Sequence, residues 1–174
     1  MSYLHKLIQY IVWYANEQDI LITTNRLVKF IYLADLYHAR ATGSTISNFP
    51  WSFVYFGPYC QEVMNEIDQT VQAQLVKSFS YASQYEDGKE WHKFLPEKDN
   101  LDQIEKFENS LNIYVVSQLQ NIIKKYGDDT PQLLDYVYFD TEPMQEAKFG
   151  DTLDFSKAER PQVSKRPEIK KLSK

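Results

Sequence analysis

Hydrophobic periodicity constrains the fold of this chain most, because long stretches repeat apolar residues every three or four positions. Residues 3–17 lack glycine and proline and predict an amphipathic first helix. The polar residues 23–25 supply N-cap chemistry for a second helix, and Gly43 offers a natural end to it. Residues 100–126, the most periodic segment, predict one long central helix that ends at Gly127. The body of the protein is therefore predicted to be mainly helical.

Three further helices are predicted from their first-turn signals. A third helix can run from Pro58 to about Gln72, since proline is tolerated in a first turn. Thr130 and Pro131 predict an N-cap and first turn for a Leu-rich helix. Residues 141–143, Thr-Glu-Pro, indicate a short final helix.

Three short segments alternate with period two instead and predict strands. Residues 51–56 place larger rings at every second position, and residues 79–83 repeat that pattern. Residues 86–89 contain an Asp-Gly pair typical of tight hairpins, so residues 91–95 are the expected returning strand. The predicted fold class is α+β, a mostly helical bundle with a small antiparallel sheet of about three strands.

A structural corner is predicted at Gly57 and Pro58. Glycine permits backbone angles closed to other residues, and proline fixes its own angle. The aromatic run that ends at Phe56 should therefore turn there from the first predicted strand into the third helix.

Composition indicates one globular domain and gives no sign of an oxidising compartment. The chain has 174 residues, of which 43% are hydrophobic and 15% aromatic, which suffices for one core. Its single cysteine, Cys60, cannot form an internal disulfide and is expected to pack inside. No signal-peptide pattern is present and the apolar runs are too short for a bilayer, so a soluble cytoplasmic protein is expected.

Charge divides the chain into an acidic body and a basic end. Residues 156–174 hold seven of the 19 basic residues and two of the 24 acidic ones, a net charge of +5, which leaves −10 on residues 1–155. An acidic body repels phosphate backbones but attracts a basic protein partner. The two prolines and scarce apolar residues of 156–174 predict a mobile tail with at most weak nucleic-acid contact. The predicted domain thus comprises residues 1–155.

Catalytic and metal-binding patterns find little support in the sequence. The chain has five glycines and lacks a phosphate-binding loop, a His-Glu-x-x-His motif and a Gly-x-Ser-x-Gly motif. His38 follows Asp35 by three positions, which permits a hydrogen-bonded pair or two metal ligands, but a helix-face contact is the preferred interpretation. Cys60 near a helix start could be a nucleophile, yet no partner base is evident. We therefore expect neither an enzyme nor a cofactor or metal site.

A family resemblance rests on two quoted stretches. Residues 23–67 contain "LVKFIYLAD", then Gly43, a short aromatic strand and "YFGPY". Residues 124–150, "KKYGDDTPQLLDYVYFDTEPMQEAKFG", continue with a Tyr-Gly helix end, a Leu-rich helix and an acidic-Pro turn. This ordered set resembles the Panacea domain family, also described as SocA-like or phage-associated GepA-like proteins. Many members carry a tryptophan before the Gly-Pro pair where this chain has Val54, with Trp51 nearby.

The resemblance implies a non-catalytic antitoxin that neutralises a co-encoded toxin by direct protein–protein binding. In some relatives it implies instead a proteolytic adaptor that delivers a toxin to a cellular protease. A phage-associated interaction protein with another target is a further alternative. The family is defined by no catalytic residues, so the resemblance implies no active site.

A partner surface is expected around the first strand and the corner, because aromatic residues dominate binding hot spots and flanking charges steer encounter. For each candidate, local packing is the alternative interpretation. The predicted partner-binding residues are Tyr32, Asp35, Trp51, Tyr55 and Tyr59.

Overall fold

The computed structural model describes residues 2–98 and 101–161, which form an α+β fold of helices and two small sheets. The strands are β1 (Ile22–Thr23), β2 (Ser52–Val54), β3 (Gly57–Tyr59), β4 (Val76–Ala82) and β5 (Glu90–Pro96). The helices are α1 (Tyr3–Glu17), α2 (Thr24–Thr42), α3 (Gln61–Gln72), α4 (Leu101–Ser110), α5 (Ile113–Tyr126), α6 (Thr130–Phe139) and α7 (Glu142–Glu146). A short 3₁₀ helix follows at Phe155–Lys157. The predicted fold class is confirmed.

Helix α2 is the centre of the molecule. Every residue from 27 to 37 is buried, and α2 packs against α1, α5 and α6. The Thr23 side chain caps its first turn by accepting from the Arg26 amide, and Gly43 ends it with φ +90°. The prediction of these boundaries is confirmed, but the prediction that residues 100–126 form the central helix was wrong. Other elements cover α2 on all sides, Lys29 and Asp35 included, whereas the two helices within residues 101–126 bury only one face.

The predicted long helix is two helices separated at residues 111 and 112. Asn112 has non-helical backbone angles (φ −56°, ψ 129°) and its side chain accepts a hydrogen bond from the Tyr114 amide, so it caps a new helix. Leu111 stays buried at the junction. The apolar spacing therefore continues through the break, which explains why periodicity alone predicted one helix.

Three strands form an antiparallel sheet in the order β1-β5-β4. The hairpin of β4 and β5 is confirmed, with Phe79 opposite Lys93 and Tyr81 opposite Trp91. Its end, which we call the arm (residues 80–91), has no buried residue. The turn is wider than predicted, because residues 83–89 lie between the paired strands.

The third strand of this sheet is β1 and not the predicted segment 51–56. Strand β2 pairs instead with β3 in a separate hairpin, in which Val54 lies opposite Gly57 and Phe53 opposite Pro58. The backbone turns through Phe56 and Gly57, whose φ angles are +70° and +101°. The predicted corner is thus a hairpin turn, and the prediction that α3 begins at Pro58 was wrong. Pro58 lies in a short edge strand that needs no donor from it, and α3 begins at Gln61 after the N-cap residue Cys60.

The C-terminal segment returns to this hairpin. The predicted helices at residues 130 and 142 are confirmed as α6 and α7, although the α6 cap is Asp129 and not Thr130. Thr152 bridges to Ser52 at the edge of β2. At the start of the predicted tail, Lys157 forms an ion pair with Glu146 at 2.7 Å. Residues 162–174 of the predicted mobile tail lie outside the described residues, so the mobility of the tail remains a prediction.

The helices of the described part of the chain were also compared with the length of a membrane span. None of them combines the length and the apolar composition that crossing a bilayer requires.

Candidate functional site

Three of the five predicted partner-binding residues lie inside the protein. The side chains of Tyr32, Asp35 and Trp51 have no exposed surface. They cannot contact a partner directly in this conformation, and they instead form a layer beneath the β2–β3 hairpin. Their predicted role in partner binding is not tested by this placement, but it would have to be indirect.

Asp35 fixes the loop that leads from α2 to β2. Its carboxylate accepts hydrogen bonds from the Ser47 amide at 2.9 Å, the Ser47 hydroxyl at 2.5 Å and Trp51 Nε1 at 2.8 Å. Burial raises the pKa of Asp35, while these donors act in the opposite direction. The spacing of Asp35 and His38 permitted a hydrogen-bonded pair, but in the structure the two side chains bond to other groups. His38 Nδ1 lies 2.5 Å from the Ser44 carbonyl oxygen instead.

Tyr32 links the same layer to the C-terminal helices. Its ring meets the Trp51 ring edge-on, with centroids 5.5 Å apart. Its hydroxyl lies 2.9 Å from Thr141 Oγ1, which in turn donates to the Val137 carbonyl at 2.5 Å. Burial raises the pKa of Tyr32. The start of α7 is therefore held against α2 by a continuous hydrogen-bond path.

Lys29 is a buried cation that the sequence analysis missed. Its side chain is 5% exposed, and its Nζ donates to the Pro58 carbonyl oxygen at 3.2 Å. No carboxylate among residues 2–98 and 101–161 lies within ion-pair distance of it. Burial lowers its pKa to about 8. The sequence signal for its burial was its position within an apolar stretch of the helix. A lysine at such a position more often lies on an exposed helix face, so the signal was not decisive.

The surface above this layer is aromatic. Tyr55 and Phe56 form the tip of the β2–β3 hairpin and are 77% and 73% exposed. Ring contacts extend from Tyr55 to Phe149 with centroids 4.8 Å apart, and from Phe53 to Tyr138 at 5.6 Å. We call the surface formed by these rings the aromatic patch, which consists of Phe53, Tyr55, Phe56, Tyr138, Phe139 and Phe149.

The aromatic patch combines parts of the chain that are far apart in sequence. The Gly150 amide donates to the Phe53 carbonyl at 2.7 Å, and the Phe53 amide donates to the Asp151 carbonyl at 2.8 Å. These bonds place Phe149 beside Tyr55. The sequence analysis missed Phe149, Tyr138 and Phe139. No local pattern relates them to residues 53–56, because the contacts form only when the C-terminal segment folds back onto the β2–β3 hairpin.

Tyr59, the remaining predicted residue, is half-buried at the end of β3. Its hydroxyl donates to Gln61 Oε1 at 2.6 Å, which fixes the ring locally. Partner binding by Tyr59 therefore stays a prediction.

Charged side chains around the aromatic patch are mostly acidic. Asp135 and Asp140 flank the exposed ring of Phe139 along the chain, and Asp151 follows Phe149 and Gly150. All three carboxylates are exposed, and Lys148 is the exposed basic residue next to Phe149. An aromatic centre with charges at its edge is the usual composition of a protein-binding surface.

Cys60 does not have the environment of a catalytic thiol. It is buried, and its Sγ donates to a Glu62 carboxylate oxygen at 3.2 Å. Burial raises its pKa to about 11, which disfavours the nucleophilic thiolate. Within the described ranges, no group of three or more His, Cys, Asp or Glu side chains is placed to hold a metal ion.

One comparison with known proteins found a match. The model of the family "Antitoxin SocA-like, Panacea domain" matches residues 27–143, which is more than half of the chain. No curated protein and no solved structure matches the chain. The matched segment runs from α2 to the start of α7 and includes the β2–β3 hairpin. This chain belongs to the family of SocA-like antitoxins with a Panacea domain.

Proposed function

We propose that this protein is a non-catalytic antitoxin that neutralises a co-encoded toxin in the cytoplasm by direct protein–protein binding. The aromatic patch, on a member of an antitoxin family, is the observation that carries this proposal. The partner is a protein toxin encoded by a neighbouring gene, and binding itself blocks that toxin without turnover.

A group of exposed rings, two of which already contact each other, suits a binding hot spot. Tyr55, Phe56 and Phe149 present large apolar areas, and their burial by a partner stabilises a complex by roughly 25 cal/mol for each Å² removed from water. Each ring has few rotatable bonds to restrict, so ordering them on binding costs little entropy.

The buried layer holds the aromatic patch in place from beneath. Asp35 and Trp51 fix the approach to β2, while Lys29 fixes the β3 backbone at Pro58. A surface supported in this way loses less conformational freedom when it binds. Tyr32, Asp35 and Trp51 thus act as positioning residues of the proposed surface.

The charge around the aromatic patch favours a basic partner. Asp135, Asp140 and Asp151 outnumber Lys148 at its edge, and the body of the chain is acidic as a whole. Opposite charge on a toxin accelerates association and disfavours acidic competitors. The association rate is therefore expected to fall as salt concentration rises.

The test is co-expression with the product of the adjacent open reading frame, with growth rescue and co-purification scored together. Tyr55→Ala and Phe149→Ala are each expected to weaken co-purification at least about tenfold, because truncating a hot spot costs more than about 1.4 kcal/mol. Tyr85→Ala is the matched control, since Tyr85 is an exposed tyrosine on the arm. Thermal melts of the purified variants show whether each one still folds.

Each outcome separates the possible functions. Rescue with a stable complex that depends on Tyr55 and Phe149 supports direct neutralisation. Rescue with disappearance of the toxin indicates a protease adaptor. Absence of any toxic neighbour contradicts the antitoxin role, and equal binding by the Tyr55→Ala and Phe149→Ala variants contradicts the role of the aromatic patch.

A further inference from the structure

Strand β4 leaves one side of the three-stranded sheet open. It lies at the end of the order β1-β5-β4, and β5 is the only strand of the described chain that pairs with it. Its seven residues span about 23 Å at roughly 3.3 Å per residue. The outer edge of such a strand presents backbone donors and acceptors to which another strand can add.

One face of the β4–β5 hairpin carries three aromatic rings, and Lys93 contacts two of them. Tyr81 and Trp91 stack with centroids 4.6 Å apart. Lys93 Nζ lies 5.8 Å from the Phe79 ring centroid and 5.7 Å from that of Tyr81. All three rings are more than a third exposed, so this face keeps apolar area accessible beside the open edge.

The sequence of β4 complements itself in an antiparallel pair. Full overlap of Val76–Ala82 with a second copy allows a single register, in which Phe79 lies opposite Phe79 of the second copy. Lys77 then faces Tyr81 of the second copy, a cation–π pair. In this register, odd-numbered residues lie opposite odd-numbered residues on one face of the sheet, so the rings of Phe79 and Tyr81 meet the second copy there. The even-numbered residues, Val76, Ser78, Ser80 and Ala82, are smaller and lie opposite one another on the other face.

The same register avoids like charges across the pair. Lys77 is the charged residue of β4, and its partner within the chain is Glu97, at 3.6 Å. In the paired arrangement Lys77 of one copy lies opposite a tyrosine and far from Lys77 of the other copy.

A groove beside the start of β4 can receive the last two residues of β4, Tyr81 and Ala82, from the second copy. It has a volume of about 540 Å³ and is lined by Val71, Gln74, Val76 and Lys77 among others. Val76 lies opposite Ala82 of the second copy in the full-overlap register, so the exposed end of β4 from that copy reaches this groove. Each copy would fill the groove of the other, as twofold symmetry requires.

We propose that a second copy of this chain adds to the β4 edge and forms a symmetric dimer with a continuous six-stranded sheet. The aromatic patch lies on a different hairpin, so the dimer leaves each copy's toxin-binding surface separate from the β4 edge. The proposal goes beyond the antitoxin function and is tested on the isolated chain without any toxin.

Sedimentation analysis over a range of protein concentrations measures the association directly. The wild-type chain is expected to show a reversible monomer–dimer equilibrium. Phe79→Glu places two carboxylates opposite each other and is expected to raise the dimer dissociation constant at least about tenfold, since directly opposed like charges destabilise strand pairs. Tyr85→Glu adds the same charge to the arm outside β4 and is expected to leave the equilibrium unchanged. Circular dichroism confirms that both variants fold.

Cross-linking tests the register independently. Phe79→Cys pairs with itself in the proposed dimer, and opposed Cα atoms of antiparallel strands lie about 4.5–5.5 Å apart, which suits a disulfide. Under mild oxidation this variant is expected to form a covalent dimer faster than Tyr85→Cys. Native Cys60 is buried and serves as an unreactive background. A chain that stays monomeric at every concentration, or a dimer insensitive to Phe79→Glu, overturns the proposal.

Discussion

The aromatic patch and the arm both expose aromatic rings, but they differ in what lies behind them. Behind the aromatic patch, the buried layer of Tyr32, Asp35 and Trp51, together with the buried Lys29, connects the β2–β3 hairpin to α2. The arm has no buried residue, and its Tyr81–Trp91 stack rests on the sheet surface alone. Surface rings of similar appearance can therefore depend on the core to very different degrees.

The largest expected difference concerns two tryptophans. Trp51 is fully buried and donates to Asp35, so Trp51→Ala is expected to lower the free energy of unfolding by about 3–5 kcal/mol. Trp91 is 39% exposed, so Trp91→Ala should cost less than Trp51→Ala, about 2 kcal/mol from its stack with Tyr81 and the smaller area that it buries. Urea denaturation of both variants measures the two losses. Equal losses would contradict the proposed contrast between the two regions.

The second prediction uses pH to probe the layer beneath the aromatic patch. Lys29 has a folded-state pKa of about 8, below its ordinary value of 10.5, so the unfolded chain binds more protons between these values. The free energy of unfolding of the wild type should therefore rise with pH in this window, relative to Lys29→Met. The expected gain is up to about 3 kcal/mol, at 1.36 kcal/mol per pH unit.

Denaturation of both proteins at several pH values measures this gain. Comparison with Lys29→Met cancels the contributions of the other titrating groups, which the two proteins share. A constant difference between the two proteins from pH 8 to pH 10 would show that Lys29 is not the titrating group.

Two glycines provide a third comparison. Gly57 has φ +101°, and an added Cβ would lie 3.4 Å from Lys29 Cε, so Gly57→Ala combines backbone strain with crowding. We expect a loss of about 2–3 kcal/mol. Gly88 in the arm has φ +78° with open space around it, so Gly88→Ala should cost about 1 kcal/mol from backbone strain alone. Thermal denaturation of both variants compares them, and a larger loss at Gly88 would refute the proposed rigidity of the β2–β3 turn.

The smallest expected effect is a gain in stability at the tip of the aromatic patch. Phe56 has φ +70°, a left-handed conformation that costs a non-glycine residue about 1–2 kcal/mol. Phe56→Gly should therefore stabilise the isolated protein by about 0.5 kcal/mol after the entropy of glycine is subtracted. The same variant should bind the toxin more weakly, because an exposed ring is lost. Unchanged binding would indicate that Phe56 has no part in the interface.

The predictions from sequence succeeded where a signal was local. The boundaries of α2 followed from the Thr23 cap and Gly43, and the β4–β5 hairpin followed from alternation around an Asp-Gly pair. They were wrong where two local signals competed. Periodicity continued across the cap at Asn112, and Pro58 suited a strand as well as a helix start.

The candidate site was less predictable than the fold. Of the predicted residues, Tyr55 is a highly exposed ring, whereas Tyr32, Asp35 and Trp51 are buried. A side chain in a helix or beside a strand has the same local sequence whether it faces the core or solvent, so its exposure depends on which segment covers it.

The sequence by itself determined a mainly helical α+β chain with an acidic body, and its ordered motifs identified the family. These properties depend on neighbouring residues and on overall composition, which the sequence contains directly. Only the tertiary structure decided that Phe149 joins Tyr55 in the aromatic patch and that Lys29 is buried beneath it. Both depend on contacts between distant segments, and those contacts are fixed when the folded chain buries its apolar area around α2.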